Sequence, residues 1–256
     1  MRAPKDQHFL IDKHAVRRIA GLIDLKDRTV LEIGPGEGVL TRELLDRGAR
    51  VNAVEIDPDL VEELEIVFED EIAVGTLRLQ CGDAIRCELP PFDVVVSNLP
   101  YSASSKITFR LLGTGFEEAI LMYQAEFASR MMAPAGTPAC GRLSIMVQTY
   151  CSVQRCFDLP PQAFSPKPQV RSTVVRLIPR GPLFRIADQD RYADVVRALF
   201  THRRKTVRNC LRTSAGILSP DTAEKIIAAL PDEILSSRPE TLYLEDFATI
   251  SNLAAE

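Results

Sequence analysis

Four consecutive residues, Asn98-Leu99-Pro100-Tyr101, bring together groups suited to one kind of chemistry. An asparagine side-chain oxygen and a neighbouring backbone carbonyl can accept both N–H bonds of an aromatic exocyclic amine. That holds the nitrogen and favours its pyramidal, nucleophilic geometry without a carboxylate base, and preorganised dipoles of this kind typically contribute a few kcal/mol. Pro100 restricts the backbone before it and so orients the Leu99 carbonyl. Tyr101 offers a face for a stacked base, worth roughly 1–3 kcal/mol. A proline turn with a packed tyrosine is the structural alternative.

A second set of residues suits a nucleoside ligand. Val30-Leu31-Glu32-Ile33 runs into Gly34-Pro35-Gly36-Glu37-Gly38, a GxGxG turn rather than the GxGxxG of dinucleotide binders. Pro35 removes a backbone donor. A loop built to wrap a pyrophosphate would keep its donors, so an uncharged adenosyl-type ligand fits better. Glu55, with Ile56 beside it, stands 21 residues beyond Gly34 and can accept from both ribose hydroxyls. Asp83 and Ala84, in Cys81-Gly82-Asp83-Ala84, can read an adenine through a carboxylate and backbone amides. Taken singly, Glu55 can equally be a solvated acid and Asp83 part of a plain turn. Asp57, ahead of Pro58, reads as a helix cap.

These residues lie at the ends of regularly spaced apolar runs. Strands are expected over Thr29–Ile33, Arg50–Ile56, Leu77–Gln80, Phe92–Ser97 and Glu118–Gln124. Helical periodicity falls at His14–Ile23, Leu40–Arg47, Leu60–Phe68 and Ser105–Leu112. Alternation at this spacing implies an α/β fold with a mostly parallel, doubly wound sheet, whose carboxyl edge would carry the candidate residues. Leu143–Cys151 and Ser172–Ile178 read as β-rich runs at an antiparallel edge. Beyond Pro179-Arg180-Gly181-Pro182 the pattern is helical, over Arg191–Phe200, Thr201–Leu211, Thr222–Ala229 and Leu244–Leu253. The expected domains are therefore residues 1–180 and an all-helical 181–256.

The net charge of −4 conceals a strong asymmetry. Lys167 to Arg212 holds twelve Lys and Arg against three Asp, a balance of +9, and the remainder stands at −13. Such a split points to a polyanionic partner. Arg204, Arg208 and Arg212 recur every four residues and predict a basic helical stripe beside Phe200, Val207 and Leu211. With Lys167, Arg171, Arg203 and Lys205 they make a phosphate-contacting set. The six cysteines show no CxxC pair, and no metal site is expected. No run approaches the length of a membrane span, and Met1–Leu10 lacks the build of a secretory leader, so a cytoplasmic protein is expected.

Eight segments in order, QHFL (7–10), EIGPGEG (32–38), VEID (54–57), GDA (82–84), NLPY (98–101), FSPKPQVRSTVVRL (164–177), FTHRRKTVRN (200–209) and RPETLYLEDF (238–247), resemble the small-subunit ribosomal RNA adenine dimethyltransferases. The likeness spans essentially the whole chain. It implies a Rossmann-like class I methyltransferase using S-adenosylmethionine, converting two adjacent adenines near the 3′ end of small-subunit rRNA to N6,N6-dimethyladenine. It also implies that His8, Leu10, Gly34, Gly36, Glu55, Ile56, Asp83, Ala84 and Asn98 hold the cofactor, and that Phe164 closes on the target base opposite Tyr101. A core phenylalanine is the structural alternative for Phe164. The implied partner is an immature small-subunit particle met by a monomer, with no membrane involved. His8 stands where the family often has Asn, Glu37 where it is commonly apolar, and the N-terminus has no long basic arm. A large-subunit rRNA methyltransferase of the antibiotic-resistance type and a largely non-catalytic ribosome assembly factor are the competing expectations.

Overall fold

The apolar runs become one sheet, and the helical periods pack against it. The computed structural model describes residues 7–202 and 204–255. The chain forms two compact units, Met1–Ala128 with Val153–Pro179, and Ser129–Ser152 with Arg180–Glu256.

In chain order the first unit contains β1 (Phe9–Leu10), α1 (Lys13–Ala20), β2 (Thr29–Ile33), α2 (Val39–Asp46), β3 (Arg50–Glu55), α3 (Pro58–Val67), α4 (Glu69–Ala73) and β4 (Leu77–Cys81). There follow β5 (Val94–Asn98), α5 (Ser104–Thr114), β6 (Glu118–Gln124) and the start of α6 (Ala125–Met131). The second unit takes up α7 (Arg142–Tyr150), and the chain re-enters the first with β7 (Cys151–Leu159), β8 (Phe164–Ser165) and β9 (Ser172–Pro179). Helices α8 (Gln189–Leu199), α9 (Val207–Arg212), α10 (Pro220–Ala229), α11 (Asp232–Ser236) and α12 (Leu244–Ala255) complete the second unit.

The sheet order is β4-β3-β2-β5-β6-β9-β7. Strands β4 to β6 are mutually parallel, and β9 runs antiparallel to β6 with Tyr123 opposite Thr173. Val30, Leu31, Val95, Val96, Ile120 and Leu121 are fully buried, as strands covered on both faces require. Helix starts are fixed by short polar side chains: Asp12 accepts from the His14 and Ala15 amides, and Asp57 from Asp59, with Pro58 in the first turn of α3. A separate two-stranded piece pairs β1 with β8, setting Leu10 opposite Phe164.

Three sequence expectations need correction. Leu143–Cys151 is not a strand; residues 142–150 form α7. Ser144, Ile145, Met146, Val147 and Thr149 are all buried, so the helix has almost no polar face to reveal its period. Thr149 satisfies its hydroxyl on the Ile145 carbonyl, at 2.8 Å. Second, Thr201–Leu211 is not one helix, because α9 begins at Val207 after Thr206 in extended conformation. Third, residues 129–152 join the helical unit rather than the sheet unit. The Thr149 and Tyr192 hydroxyls lie 2.8 Å apart, the Arg180 amide donates to the Tyr150 carbonyl at 2.7 Å, and that of Gly136 to Leu242 at 3.1 Å.

Candidate active site

At the carboxyl ends of β2, β3, β4 and β5 lies a cavity of about 210 Å³, lined also by Gln7–Leu10. Each strand delivers a turn that its sequence dictates. The β2 turn carries Gly34, Gly36 and Gly38, all at positive φ. A Cβ on Gly36 would stand 2.6 Å from the Phe9 ring, and one on Gly38 2.5 Å from Phe68. Glycine is thus required both for the backbone path and for the rings that press on it.

Glu55, 3% exposed at the end of β3, binds that turn to its own. Its Oε1 accepts from the Ile56 and Asp57 amides at 2.9 and 3.1 Å, and its Oε2 from Gly36 at 3.2 Å. An ionised carboxylate offers about four lone-pair sites, so acceptor capacity remains for a ligand hydroxyl. Ile56 beside it is a half-exposed apolar surface. Asp83 accepts from the Ile85 amide at 2.9 Å and faces Arg86 at 3.6 Å. Ala84 lies behind it, 7% exposed.

Asn98 closes β5. Its Nδ2 donates to the His8 main-chain carbonyl at 3.0 Å, which fixes the amide orientation and leaves Oδ1 to accept. After Leu99, the Pro100 carbonyl accepts from the Ala103 amide and the Ser104 hydroxyl, both at 3.1 Å, so the turn is anchored to the start of α5. The Tyr101 hydroxyl lies 2.7 Å from that of Ser172 on β9, and burial pushes its pKa up. The His8 ring stands 5.4 Å from the Tyr101 ring at 37°. Its Nδ1 lies 2.7 Å from the Pro166 carbonyl, which can only accept, so Nδ1 carries the proton. Any polar contact from this ring to a ligand must therefore use Nε2.

Residues His8, Leu10, Gly34, Gly36, Glu55, Ile56, Asp83, Ala84 and Asn98–Tyr101 all line the one cavity. Phe164 is absent from its lining and is 1% exposed, packed in the core and paired with Leu10. The ring beside Tyr101 is that of His8. The basic set also divides. Arg203 lies outside the described residues, Arg204 is exposed in the turn before α9, and Lys205 is partly covered there. Arg208 is paired with Asp232 at 2.7 Å and Arg212 with Glu224 at 3.2 Å. The expected four-residue stripe is therefore broken at Arg204, while Val207 and Leu211 are buried. Lys167 and Arg171 belong to the loop after β8 in the sheet unit.

Two residues escaped sequence reasoning. Glu32, 1% exposed on β2, lines the cavity and accepts from the Thr41 hydroxyl at 2.7 Å. Burial pushes its carboxyl up to about 8, against the Thr41 bond and with help from nearby Glu55. The only signal was an acid inside an otherwise apolar strand. Arg110 on α5 donates to the Ala84 carbonyl at 3.0 Å and to that of Cys87, securing the turn that presents Asp83. Nothing in the sequence around it marks that contact.

A model of the family described as ribosomal RNA adenine dimethylase matches residues 2–239. The chain belongs to this family. It is 61% identical over 252 residues to a Methanospirillum hungatei protein named probable ribosomal RNA small subunit methyltransferase A, with 98% of each covered. A Halobacterium salinarum protein of the same name is 46% identical over 97% of this chain and 88% of its own. Among solved structures, a dimethyladenosine transferase from Plasmodium falciparum superposes with a TM-score of 0.77 at 28% identity, covering 95% and 96% of the two chains. The 23S rRNA methyltransferase ErmE gives 0.68, also at 28% identity, over 97% and 100%.

This dimethylase is thus an S-adenosylmethionine-dependent rRNA adenine dimethyltransferase. The cavity fits that cofactor. Its glycine turn brings main chain without side chains to the lining, and the Glu55 carboxylate beside it keeps acceptor capacity for a ribose hydroxyl. No helix among the described residues is long and apolar enough to cross a membrane.

Proposed function

We propose that this dimethylase converts two adjacent adenines near the 3′ end of small-subunit rRNA to N6,N6-dimethyladenine, in four transfers, as a monomer acting on an immature particle in the cytoplasm. The observation that carries the amine chemistry is the Asn98 amide, oriented by the His8 carbonyl so that Oδ1 is left to accept. Asn98 Oδ1 and the Leu99 carbonyl accept the N6 hydrogens, and Tyr101, anchored on Ser172, supports the face of the base. S-adenosylmethionine supplies an electrophilic methyl when bound. Glu55 receives its ribose, Asp83 and Ala84 its adenine, and Gly34 and Gly36 let the main chain approach. Phe164 is left out of this assignment because it is buried in the core.

The small subunit is favoured over the large by the names of the relatives at 61% and 46% identity, against 28% for ErmE. The test is nucleoside mass spectrometry after incubating the protein and labelled S-adenosylmethionine with small subunits lacking the modification. N6,N6-dimethyladenine in small but not large subunits is expected. Label confined to large subunits would overturn the assignment.

A further inference from the structure

The charge count placed the RNA-contacting groups between Lys167 and Arg212, yet the structure gathers a second basic surface at the opposite end of the sequence. Helix α1 carries Lys13, His14, Arg17 and Arg18 on its exposed side, and Ala15, Val16, Ile19 and Ala20 on its buried side. The helix contains no acid, and its capping Asp12 is occupied by two main-chain amides.

The segment leading into this helix is tied to residues on both sides of β8. The Ile11 and Asp12 amides both donate to the Ala163 carbonyl, β1 pairs with β8, and His8 bonds Pro166. The loop after β8 continues through exposed Lys167 to exposed Arg171. The Arg18 guanidinium lies 3.7 Å over the Phe157 ring of β7, and β7 also presents Arg155. Exposed cations thus lie on α1, on β7 against which Arg18 packs, and on the 166–171 loop that His8 ties to the segment before α1. That segment, Gln7–Leu10, lines the cavity beside Tyr101.

Pairing distinguishes four of these cations from the arginines of α9. Among the described residues, Lys13, Arg17, Arg18 and Lys167 make no ion pair. Asp158 serves Arg155 and lies 3.8 Å from Arg171. Lys13 and Arg17, held on the helix by its buried face, lose no ion-pair partner on meeting a phosphate, whereas Arg18 is engaged with the Phe157 ring and Arg171 with Asp158.

We infer that the exposed face of α1, with Lys167 and Arg171, is a phosphate-binding surface that grips the RNA backbone flanking the target adenine. It rests on the rRNA substrate proposed above. The contacts are to backbone charge and carry no sequence information.

The test compares wild type, Lys13→Gln/Arg17→Gln and the charge-conserving Lys13→Arg/Arg17→Lys. Binding to unmodified small subunits is measured from 50 to 300 mM KCl, with S-adenosylmethionine affinity measured in parallel. Neutralisation is expected to weaken subunit binding roughly tenfold at low salt and to reduce the slope of log K against log salt by about 1.5–2. The loss should appear in KM for subunits, cofactor affinity should not move, and the charge-conserving variant should recover most of the binding. An unchanged salt slope would overturn the inference, as would equal loss in the charge-conserving variant. An unchanged slope together with loss of binding to an acidic protein would assign the face to that partner instead. If wild type binds subunits with the expected salt dependence but methylates none, the substrate assignment fails and the α1 surface stands.

Discussion

The strand-end cavity and the 201–212 segment were both legible as functional, yet only the first is built as its residues suggested. At the cavity each side chain sits at the last residue of a strand or within two residues of it, so the sheet register fixes its place, and main-chain groups hold it. Asn98 is bonded to a carbonyl, Glu55 to three amides, and Asp83 to one. The 201–212 arginines have no such frame. Arg204 lies in a turn, and Arg208 and Arg212 are paired at the surface with Asp232 and Glu224 from other helices. Position inherited from a parallel sheet is therefore a stronger guide to chemistry than periodic charge, whose availability depends on acids brought in from elsewhere.

The largest effect should come from the cavity. Asn98→Ala removes the oriented acceptor and should lower kcat by about 10²–10³ with the fold retained, as measured by single-turnover methylation and circular dichroism. Wild-type turnover would break the contrast, since main-chain framing would then have no chemical consequence. Next, Gly36→Ala places a side chain at φ +57° and 2.6 Å from Phe9. A stability loss of roughly 1–2 kcal/mol is expected from the left-handed backbone alone, together with weaker S-adenosylmethionine binding by calorimetry.

Glu32 supplies a test by pH. Its folded carboxyl titrates near 8 against an ordinary 4.5, so between these values the unfolded chain holds fewer protons than the folded one. Stability should therefore fall as pH rises from about 4.5 to 8 and level off above. Glu32→Gln keeps an acceptor for Thr41 and should flatten that part of the Tm profile; an unchanged slope would show that Glu32 is ionised in the fold. The smallest effect is expected from Arg208→Gln/Arg212→Gln. Exposed ion pairs of this kind are worth about 0–1 kcal/mol, so Tm should shift by only a few degrees. Subunit affinity should also fall less than in Lys13→Gln/Arg17→Gln. A larger loss would mean that the two arginines leave their acids when RNA binds.

What the sequence disclosed follows the same division. The strands β2, β3, β5 and β6 read as short continuous apolar runs because they are covered on both faces, and the glycine turn announced the ligand edge. Helix α7 did not read as a helix, since burial on nearly every side and residues such as Ile145, Val147 and Thr149 imitate a strand. Phe164 has a partner, Leu10, 154 residues away in sequence, and only the β1–β8 pairing reveals that it is covered. Arg110 and Glu32 matter through neighbours in space, a carbonyl on another turn and a carboxylate on another strand.

The bond from Asn98 to position 8 is made by a carbonyl, which any amino acid would provide. The reactive amide is thus insulated from the identity of the side chain next to it. Position 8 can exchange an imidazole for another group, altering the wall beside Tyr101 and the tie to Pro166, while the geometry that addresses the amine is left alone. For redesign of base preference, it is a dial separate from the catalytic setting.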